Sequence, residues 1–357
     1  MGTREEKESR RDTRRRFEQW AHNPTCQANT ISAVHGISMA DVATRESGRS
    51  SMGQSPFAIA RGQAFERGLF RLNADKLIQA LIKTKVLPAG SAGLADFRLR
   101  MNGGRCRSLN DARDETSDLL RQVAAKPKNA PAVIAGATVT IPGGVMLPEA
   151  LLVLDVLVIR PGEHQPELVV GEIKTYPDRA GYTDSGELAA ARAQAGVYVH
   201  GLTLVLSELG LADTFRVSKT GFLVLSRPGF NDPSIRAGED LHYQAERARR
   251  GFHLLREAAK AVEPLPVPGT DAALNVVLAA KVDFSENCLM FCDRVTACRA
   301  RAFADGNPAA LGRDVARFLG DITLVRAMEL VKGSKPSGNA ERDLVRRVRD
   351  EEGGLPN

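Results

Sequence analysis

The strongest constraint on the fold is the segment 151–160, LLVLDVLVIR, in which aliphatic side chains surround a single aspartate. A short run of Leu, Val and Ile is typical of a strand that is buried in a sheet. It is well short of the ~20 apolar residues that a membrane-spanning helix needs. An ionised Asp155 among such neighbours is costly unless something pairs with it. The segment therefore predicts a core strand whose aspartate has a partner.

Neighbouring segments predict the rest of an α/β core. Three β-branched runs bounded by Gly and Pro indicate strands within 132–144, 149–162 and 166–177, and a further strand within 214–229. Helical spacing predicts a helix capped at Ser55 and Pro56, and others at about 74–86, 110–125, 184–210, 241–265 and 308–332. The segments 43–56 and 264–271 read as connectors, and the C-terminal end as a frayed tail. This order predicts an α/β core with helical flanks.

Composition narrows the class of protein. With 357 residues, 43% of them hydrophobic and 26% charged, the chain can bury a real core. Five cysteines are too few for a disulfide-dense scaffold, and the charged N-terminal sequence lacks the apolar stretch of a signal peptide. We therefore expect a soluble, cytoplasmic protein, not associated with a membrane, whose thiols are reduced.

The net charge of +6 is distributed unevenly along the chain. Arginines gather in two groups, Arg10, Arg11, Arg14, Arg15 and Arg16 and then Arg342, Arg346, Arg347 and Arg349. Acidic residues are interleaved with both groups. A polyanion-binding surface and a solvated arginine-rich helix are therefore equally open interpretations.

The strand after Asp155 carries Glu172 and Lys174 in the sequence VVGEIKTYP. Strand alternation sends these two side chains to one face and Ile173 to the other. If Asp155 meets that face, two carboxylates and an ammonium converge there. Two carboxylates favour a hard divalent cation such as Mg²⁺, with water and a substrate phosphate as further ligands. Lys174 would then position a water and offset charge on the phosphate.

These residues resemble the core of the PD-(D/E)XK nucleases, and their flanks resemble the RecB-like branch of that family. In the upstream helix, Glu66 follows Gly62 by four residues, as in the first motif of the branch. Downstream, Gln194 and Tyr198 match its Gln-x-x-x-Tyr motif and share one helix face. The motifs follow one another in the family's order.

The resemblance implies a metal-dependent deoxyribonuclease with a restriction-endonuclease-like fold, in which a central mixed sheet is flanked by helices. The metal ligands so implied are Glu66, Asp155, Glu172 and the carbonyl of Ile173, for Mg²⁺ or Mn²⁺. The catalytic group is Asp155, Glu172, Lys174, Gln194 and Tyr198. Gln194, Tyr198, Arg192 and Arg179 would hold the substrate strand.

Three cysteines, Cys288, Cys292 and Cys298, lie within eleven residues and suggest a metal site that needs a fourth ligand. The iron–sulfur members of the branch, including CRISPR-associated and AddB-type nucleases, place one cysteine before the first motif and three after the Gln-x-x-x-Tyr helix. That resemblance implies Cys26 as the fourth ligand of a 4Fe-4S cluster. A structural Zn²⁺ would accept the same thiolates, and three unrelated core cysteines are the remaining alternative. Cys106 reads as a buried small hydrophobe.

The domain organisation expected from these patterns has four parts. They are a basic segment with a cluster cysteine at 1–55, the nuclease core with inserted helices at 56–263, a helical cysteine-cluster region at 264–335 and a flexible tail at 336–357. Helical additions at both ends, closed by the metal cluster, would make one nuclease domain. The function expected from the resemblance is DNA cleavage in repair, recombination or antiphage defence, on DNA of single-stranded character, beside a helicase or another protein of the complex. A non-catalytic DNA-binding or assembly subunit is the alternative, and RNA processing a weaker one.

Overall fold

The structure, a computed structural model, describes residues 13–48, 56–126, 128, 130–141, 150–229, 232–262 and 270–354. Two units divide the chain between them. Gln54–Lys260 forms the first, called here the sheet unit, and Met1–Gly53 together with Ala261–Asn357 forms the second, the terminal unit. The sequence favoured one domain, whereas the structure gives the two ends of the chain a unit of their own.

A seven-stranded mixed sheet is the centre of the sheet unit. Its strands are β1 Leu94–Asp96, β2 Val133–Ile141, β3 Ala150–Arg160, β4 Glu167–Pro177, β5 Arg216–Val217, β6 Thr220–Ser226 and β7 Ser234–Asp240. The order is β1-β2-β3-β4-β6-β7, with β5 beside β4. β2, β3 and β4 pair antiparallel, whereas β6 pairs parallel with β4. The predicted α/β class with a mixed sheet and flanking helices is confirmed.

The α-helices fall in both units. They are α1 Thr13–His22, α2 Gln27–His35, α3 Met39–Ser47, α4 Pro56–Leu69, α5 Asp75–Lys83, α6 Leu109–Ala125, α7 Ser185–Glu208, α8 His242–Lys260, α9 Asp271–Ala279, α10 Cys288–Phe291, α11 Val295–Ala304, α12 Arg313–Leu319, α13 Leu324–Val331 and α14 Asn339–Gly354. Short 3₁₀ turns occupy Arg71–Ala74, Arg100–Asn102 and Pro308–Leu311. Among the described helices, none is both long and apolar enough to cross a membrane.

Helices cover the sheet on two faces. α5 packs Leu77 and Leu81 into one apolar cluster with Val156, Val158 and Val224 of the sheet. On the other face, Leu188 and Ala191 of α7 pack against Leu223 and Leu225 of β6. α7 begins where the Asp184 carboxylate accepts the backbone N–H groups of Gly186 and Glu187. Because side chains alternate along a strand, successive residues of β4 face opposite helical layers.

The predicted strands β2, β3 and β4 and the helices α5, α6, α7 and α8 are confirmed within a few residues at each end. α4 is confirmed from Pro56, while its predicted capping residue, Ser55, lies outside the described residues. Strands β1 and β7 were not predicted. β1 has three residues, and β7 is mostly polar, so neither shows the alternation of a half-buried strand.

Predictions for the terminal unit need several corrections. The single helix expected at 308–332 is a 3₁₀ turn and two helices, because Gly312 (φ 111°) and Gly320 (φ 60°) take positive φ values that end helices. The connector at 43–56 starts too early, since α3 extends to Ser47. Asp271, assigned to the second connector, opens α9, where the Thr270 side chain caps it.

The flexible tail expected at 336–357 contains the helix α14. Leu344 of this helix is buried against α13, in a cluster that includes Leu330 and the partly buried Val345 and Val348. The sequence did not predict this helix because its few apolar residues stand among many charged ones. Residues 355–357 lie outside the described part of the chain.

Candidate active site and cysteine cluster

The point where β3 and β4 separate determines the position of Asp155. The ladder between these strands ends at Val156 and Gly171. Beyond it, β3 stays paired with β2 as far as Ala150, whereas β4 continues beside β6. One further step of the same register would set Asp155 opposite Glu172, with both side chains on the same face. The ladder itself ends one step short of this pair, so the convergence of the two carboxylates stays a prediction.

Asp155 also contacts the backbone of the neighbouring strand. Its Oδ2 atom accepts the N–H of Ile173 at 3.0 Å. A backbone donor of this kind compensates part of the charge of the half-buried carboxylate. The carbonyl of Ile173, the fourth predicted metal ligand, belongs to the same short segment of β4.

Glu172 and Lys174 form the centre of the site. The Glu172 side chain is 0% exposed, and its Oε1 atom lies 2.5 Å from Lys174 Nζ. The same ammonium donates to Gln194 Oε1 at 2.8 Å. Lys174 keeps 21% of its side-chain exposure, so solvent reaches the site on the lysine side. A fully buried carboxylate is tolerated here because a fixed cation accompanies it.

Gln194 and Tyr198 continue this contact chain into the core. Gln194 Nε2 donates to the Tyr198 hydroxyl at 2.6 Å, as the i, i+4 spacing on α7 allows. Gln194 is buried and Tyr198 is 0% exposed. This burial is at odds with the predicted role of the pair in gripping a substrate strand. Their contacts instead hold Lys174 in place.

Glu66 of α4 adds a third carboxylate near the two strands. Burial, and then the negative charge of Asp155, raises the pKa of Glu66, while Arg98 opposes that rise. The charge of Asp155 thus acts on Glu66, and the ligand role predicted for Glu66 from its spacing to Gly62 stays a prediction.

Arg98 and Asp96 belong to this region and were not predicted. The buried Arg98 guanidinium binds Asp96 through two bonds, Nε to Oδ1 at 2.9 Å and an NH2 group to Oδ2 at 2.7 Å. It lies over the Phe70 ring and 3.8 Å from Glu66 Oε1. In the sequence DFRLR, the i, i+2 spacing of Asp96 and Arg98 was the available signal, since it places both on one face of an extended segment.

The two predicted phosphate-binding arginines have different surroundings. Arg192 Nε lies 2.5 Å from the buried carboxylate of Glu239 on β7. Arg179 is exposed in the loop after β4, where its backbone exchanges both hydrogen bonds with Tyr182. Arg236 also contacts Glu239 and donates to the Gly181 carbonyl, which anchors this loop to β7.

The four predicted cluster cysteines meet in the terminal unit. Cys26, Cys288, Cys292 and Cys298 are all free thiols, all buried, and all members of one apolar cluster. Cys26 precedes α2, and Cys288 and Cys292 stand at the two ends of α10. One buried cluster thus includes chain positions as far apart as 26 and 298.

The thiols influence one another electrostatically. Burial raises the pKa of Cys292 to about 12 and that of Cys298 to about 11, and neighbouring cysteines of the cluster add to both shifts. In the part of the chain that the structure describes, no group of three or more His, Cys, Asp or Glu side chains has the arrangement to hold a metal ion. Four clustered thiols match the donor set of an iron–sulfur or zinc site, and their ligation stays a prediction.

Polar contacts also join the two halves of the terminal unit. The buried Arg294 guanidinium binds both carboxylate oxygens of Glu46, at 2.9 and 2.8 Å, and holds the pKa of Glu46 below its ordinary value. Gln19 donates to Asp293 at 2.9 Å, and Asn23 to the Asp283 carbonyl at 2.6 Å. No local sequence pattern indicates these pairs, which are separated by more than 200 residues.

Cys106 lies in the sheet unit, where it is buried as predicted and pairs with Leu99 in a single bridge.

No family model, curated protein or solved structure matches the chain.

Proposed function

We propose that this protein is a divalent-metal-dependent deoxyribonuclease of the PD-(D/E)XK type. The observation that supports it best is the position of the Lys174 ammonium, 2.5 Å from Glu172 and 2.8 Å from Gln194, on the strand that diverges from Asp155. A buried carboxylate, a second carboxylate on the neighbouring strand and an ammonium are groups that metal-dependent phosphodiester hydrolysis can use.

Each side chain has a role that follows from its contacts. Glu66, Asp155, Glu172 and the Ile173 carbonyl would hold Mg²⁺ or Mn²⁺, which acidifies a bound water and polarises the phosphate. Lys174 would orient the attacking water and stabilise charge on the phosphate oxygens. Gln194 and Tyr198 position the ammonium group, which loses little orientational freedom when substrate arrives.

The cysteine cluster is assigned a structural role in this proposal. Cys26, Cys288, Cys292 and Cys298 would bind a 4Fe-4S cluster, with Zn²⁺ as the alternative metal. A bound metal would stabilise the folded terminal unit by tying its N-terminal and C-terminal segments together. The visible spectrum and metal content of the purified protein separate the two metals, because zinc is colourless.

The pathway is inferred from the resemblance alone. It suggests DNA repair, recombination or antiphage defence, with a helicase or another protein of the same complex as partner.

A cleavage assay tests the activity. Labelled single-stranded DNA, duplex DNA and RNA are incubated with the protein in Mg²⁺, in Mn²⁺ and in chelator. We expect DNA cleavage with metal, none with chelator, and a loss of at least about 10³-fold for Asp155→Asn. Glu163→Gln, in an exposed loop of the sheet unit, is the matched carboxylate control and should cut as wild type does.

Each other outcome has a definite meaning. Wild-type protein that binds DNA and cuts nothing under any condition refutes the nuclease and favours the non-catalytic subunit. Cleavage of RNA alone corrects the substrate. Full activity in Asp155→Asn refutes the site.

A further inference from the structure

An open groove lies in the terminal unit, between α13, α14 and the turn that joins them. Its volume is about 520 Å³, and the apolar Leu330 and Val345 form part of its wall. Four cations line it, namely Lys335, Arg342, Arg346 and Arg349, against one acid, Asp350. All four cations are exposed. The proposed nuclease site does not use this concentration of positive charge.

Three of the cations form a line along α14. Arg342, Arg346 and Arg349 have i, i+4 and i+7 spacing and so share one helix face. At 1.5 Å per residue they span about 10 Å. One strand of duplex DNA carries a phosphate every ~3.4 Å of helix axis, so the line passes about three phosphates. Guanidinium groups offer the paired donors that phosphate oxygens accept.

Hydrogen bonds and an ion pair join the elements that form the groove. Arg326 of α13 contacts both oxygens of Glu341 on α14, at 2.9 and 2.8 Å, and also donates to the Lys335 carbonyl at 3.0 Å. The Ser337 N–H donates to the same carboxylate at 2.7 Å. Arg326 holds the pKa of Glu341 at about 2. The turn is therefore fixed before a ligand arrives, which lowers the ordering cost of binding.

Arg342 and Arg346 make their side-chain contacts at the protein surface. Arg346 pairs with Asp343 at 2.9 Å, and the side chains are 72% and 58% exposed. Arg342 donates to Asn339 Oδ1 at 2.6 Å. Exposed pairs of this kind are weak, so a phosphate can exchange for the carboxylate or amide at little cost.

We propose that this groove binds the phosphate backbone of a nucleic-acid strand, at a site apart from the catalytic residues. A line of arginines matches a line of phosphates better than it matches an isolated anion. The proposal goes beyond the nuclease activity and does not depend on it.

The test measures binding of a labelled DNA duplex and of single-stranded DNA by fluorescence anisotropy in chelator, at several salt concentrations. We compare Arg346→Gln/Arg349→Gln with the charge-matched control Arg313→Gln/Arg317→Gln on α12. The groove variant should bind about tenfold or more weakly. Its slope of log K against log salt should fall by about 1.8 for duplex or about 1.4 for a single strand.

Equal affinities and equal slopes in the two variants would overturn the proposal. So would binding to anionic lipid vesicles, offered in a parallel arm, in place of DNA. Thermal unfolding of both variants confirms that they are folded. Because chelator stops cleavage, binding through the groove can succeed while the nuclease fails, and the reverse.

Discussion

The candidate active site and the cysteine cluster both bury chemically reactive groups, and they do so in opposite ways. In the sheet unit, the buried Glu172 carboxylate has its cation, Lys174, already in contact, and Gln194 and Tyr198 hold that cation. In the terminal unit, four thiols lie in an apolar cluster that raises the pKa of Cys292 and Cys298. In the first arrangement a cation already lies beside the buried carboxylate, whereas in the second the apolar surroundings favour neutral thiols.

The two regions should therefore depend on metal in different ways. The candidate active site should be ordered before Mg²⁺ or Mn²⁺ arrives, so leaving out these ions should stop catalysis and leave the sheet unit folded. The terminal unit should gain stability when its thiols bind metal, so removal of that metal should lower its unfolding temperature.

After Asp155, the largest expected effect on the cleavage rate is at Lys174. Lys174→Met should lower the cleavage rate by about 10²–10³-fold, because it removes a preorganised charge from the site. It should also cost about 2–3 kcal/mol of stability, since Glu172 loses its cation, a value reduced by the partial exposure of the lysine.

The double variant Glu172→Gln/Lys174→Met separates the two effects. It should regain most of the stability and none of the activity, as measured by urea unfolding and by the cleavage assay. If Lys174→Met is as active as wild type, the proposed role of the lysine is wrong.

Cys292→Ser tests the cysteine cluster of the terminal unit. It should reduce bound iron or zinc and destabilise the terminal unit, because one of four ligands is lost. Cys106→Ser is the matched control, a buried thiol in the other unit that should leave metal content unchanged. Metal analysis and thermal unfolding give the answer, and equal metal content in both variants would contradict the assigned ligands.

Arg294→Met tests whether the terminal unit relies on contacts other than metal. Breaking the buried pair with Glu46 should cost about 3 kcal/mol, because the carboxylate loses both of its bonds to the guanidinium. The exposed Arg121, which pairs with Asp118, is the control, and Arg121→Met should cost less than about 1 kcal/mol. Similar losses of stability in the two variants would show that the pair of Arg294 with Glu46 contributes no more than an exposed ion pair.

The same pair predicts a pH dependence. Arg294 lowers the pKa of Glu46 from its ordinary value of 4.5, so the pair stabilises the folded state fully above that value. The contribution should disappear as the pH falls through the lowered pKa. Urea unfolding at pH 7 and at pH 3 should therefore show a smaller gap between wild type and Arg294→Met at pH 3, and a constant gap would exclude Glu46 as the partner.

The smallest expected effect is at Tyr198. Tyr198→Phe removes the hydroxyl that accepts from Gln194, and should cost about 1 kcal/mol with a several-fold loss of cleavage rate. Substrate KM should stay unchanged if the buried tyrosine acts on Lys174 through Gln194. A rise in KM with an unchanged rate constant would instead support the predicted direct contact of Tyr198 with the substrate.

Residues with a local pattern were predictable from the sequence. Alternation in VVGEIKTYP put Glu172 and Lys174 on one face, and i, i+4 spacing paired Gln194 with Tyr198. Strand β1 has three residues, too few to indicate a strand, so the i, i+2 pair of Asp96 and the buried Arg98 just after it was missed. The contact of Glu46 with Arg294 links residues 248 positions apart and has no local signal. The depth at which Tyr198 is buried depends on tertiary packing, which the periodicity of α7 does not report.

Direct titration of Mn²⁺ into the protein tests the central claim, that Asp155 and its neighbours form a divalent-cation site. Isothermal titration calorimetry should show Mn²⁺ binding to wild type and to Glu163→Gln, and affinity at least about tenfold weaker for Asp155→Asn. Equal affinity in Asp155→Asn and wild type, or no binding to wild type, would contradict the account.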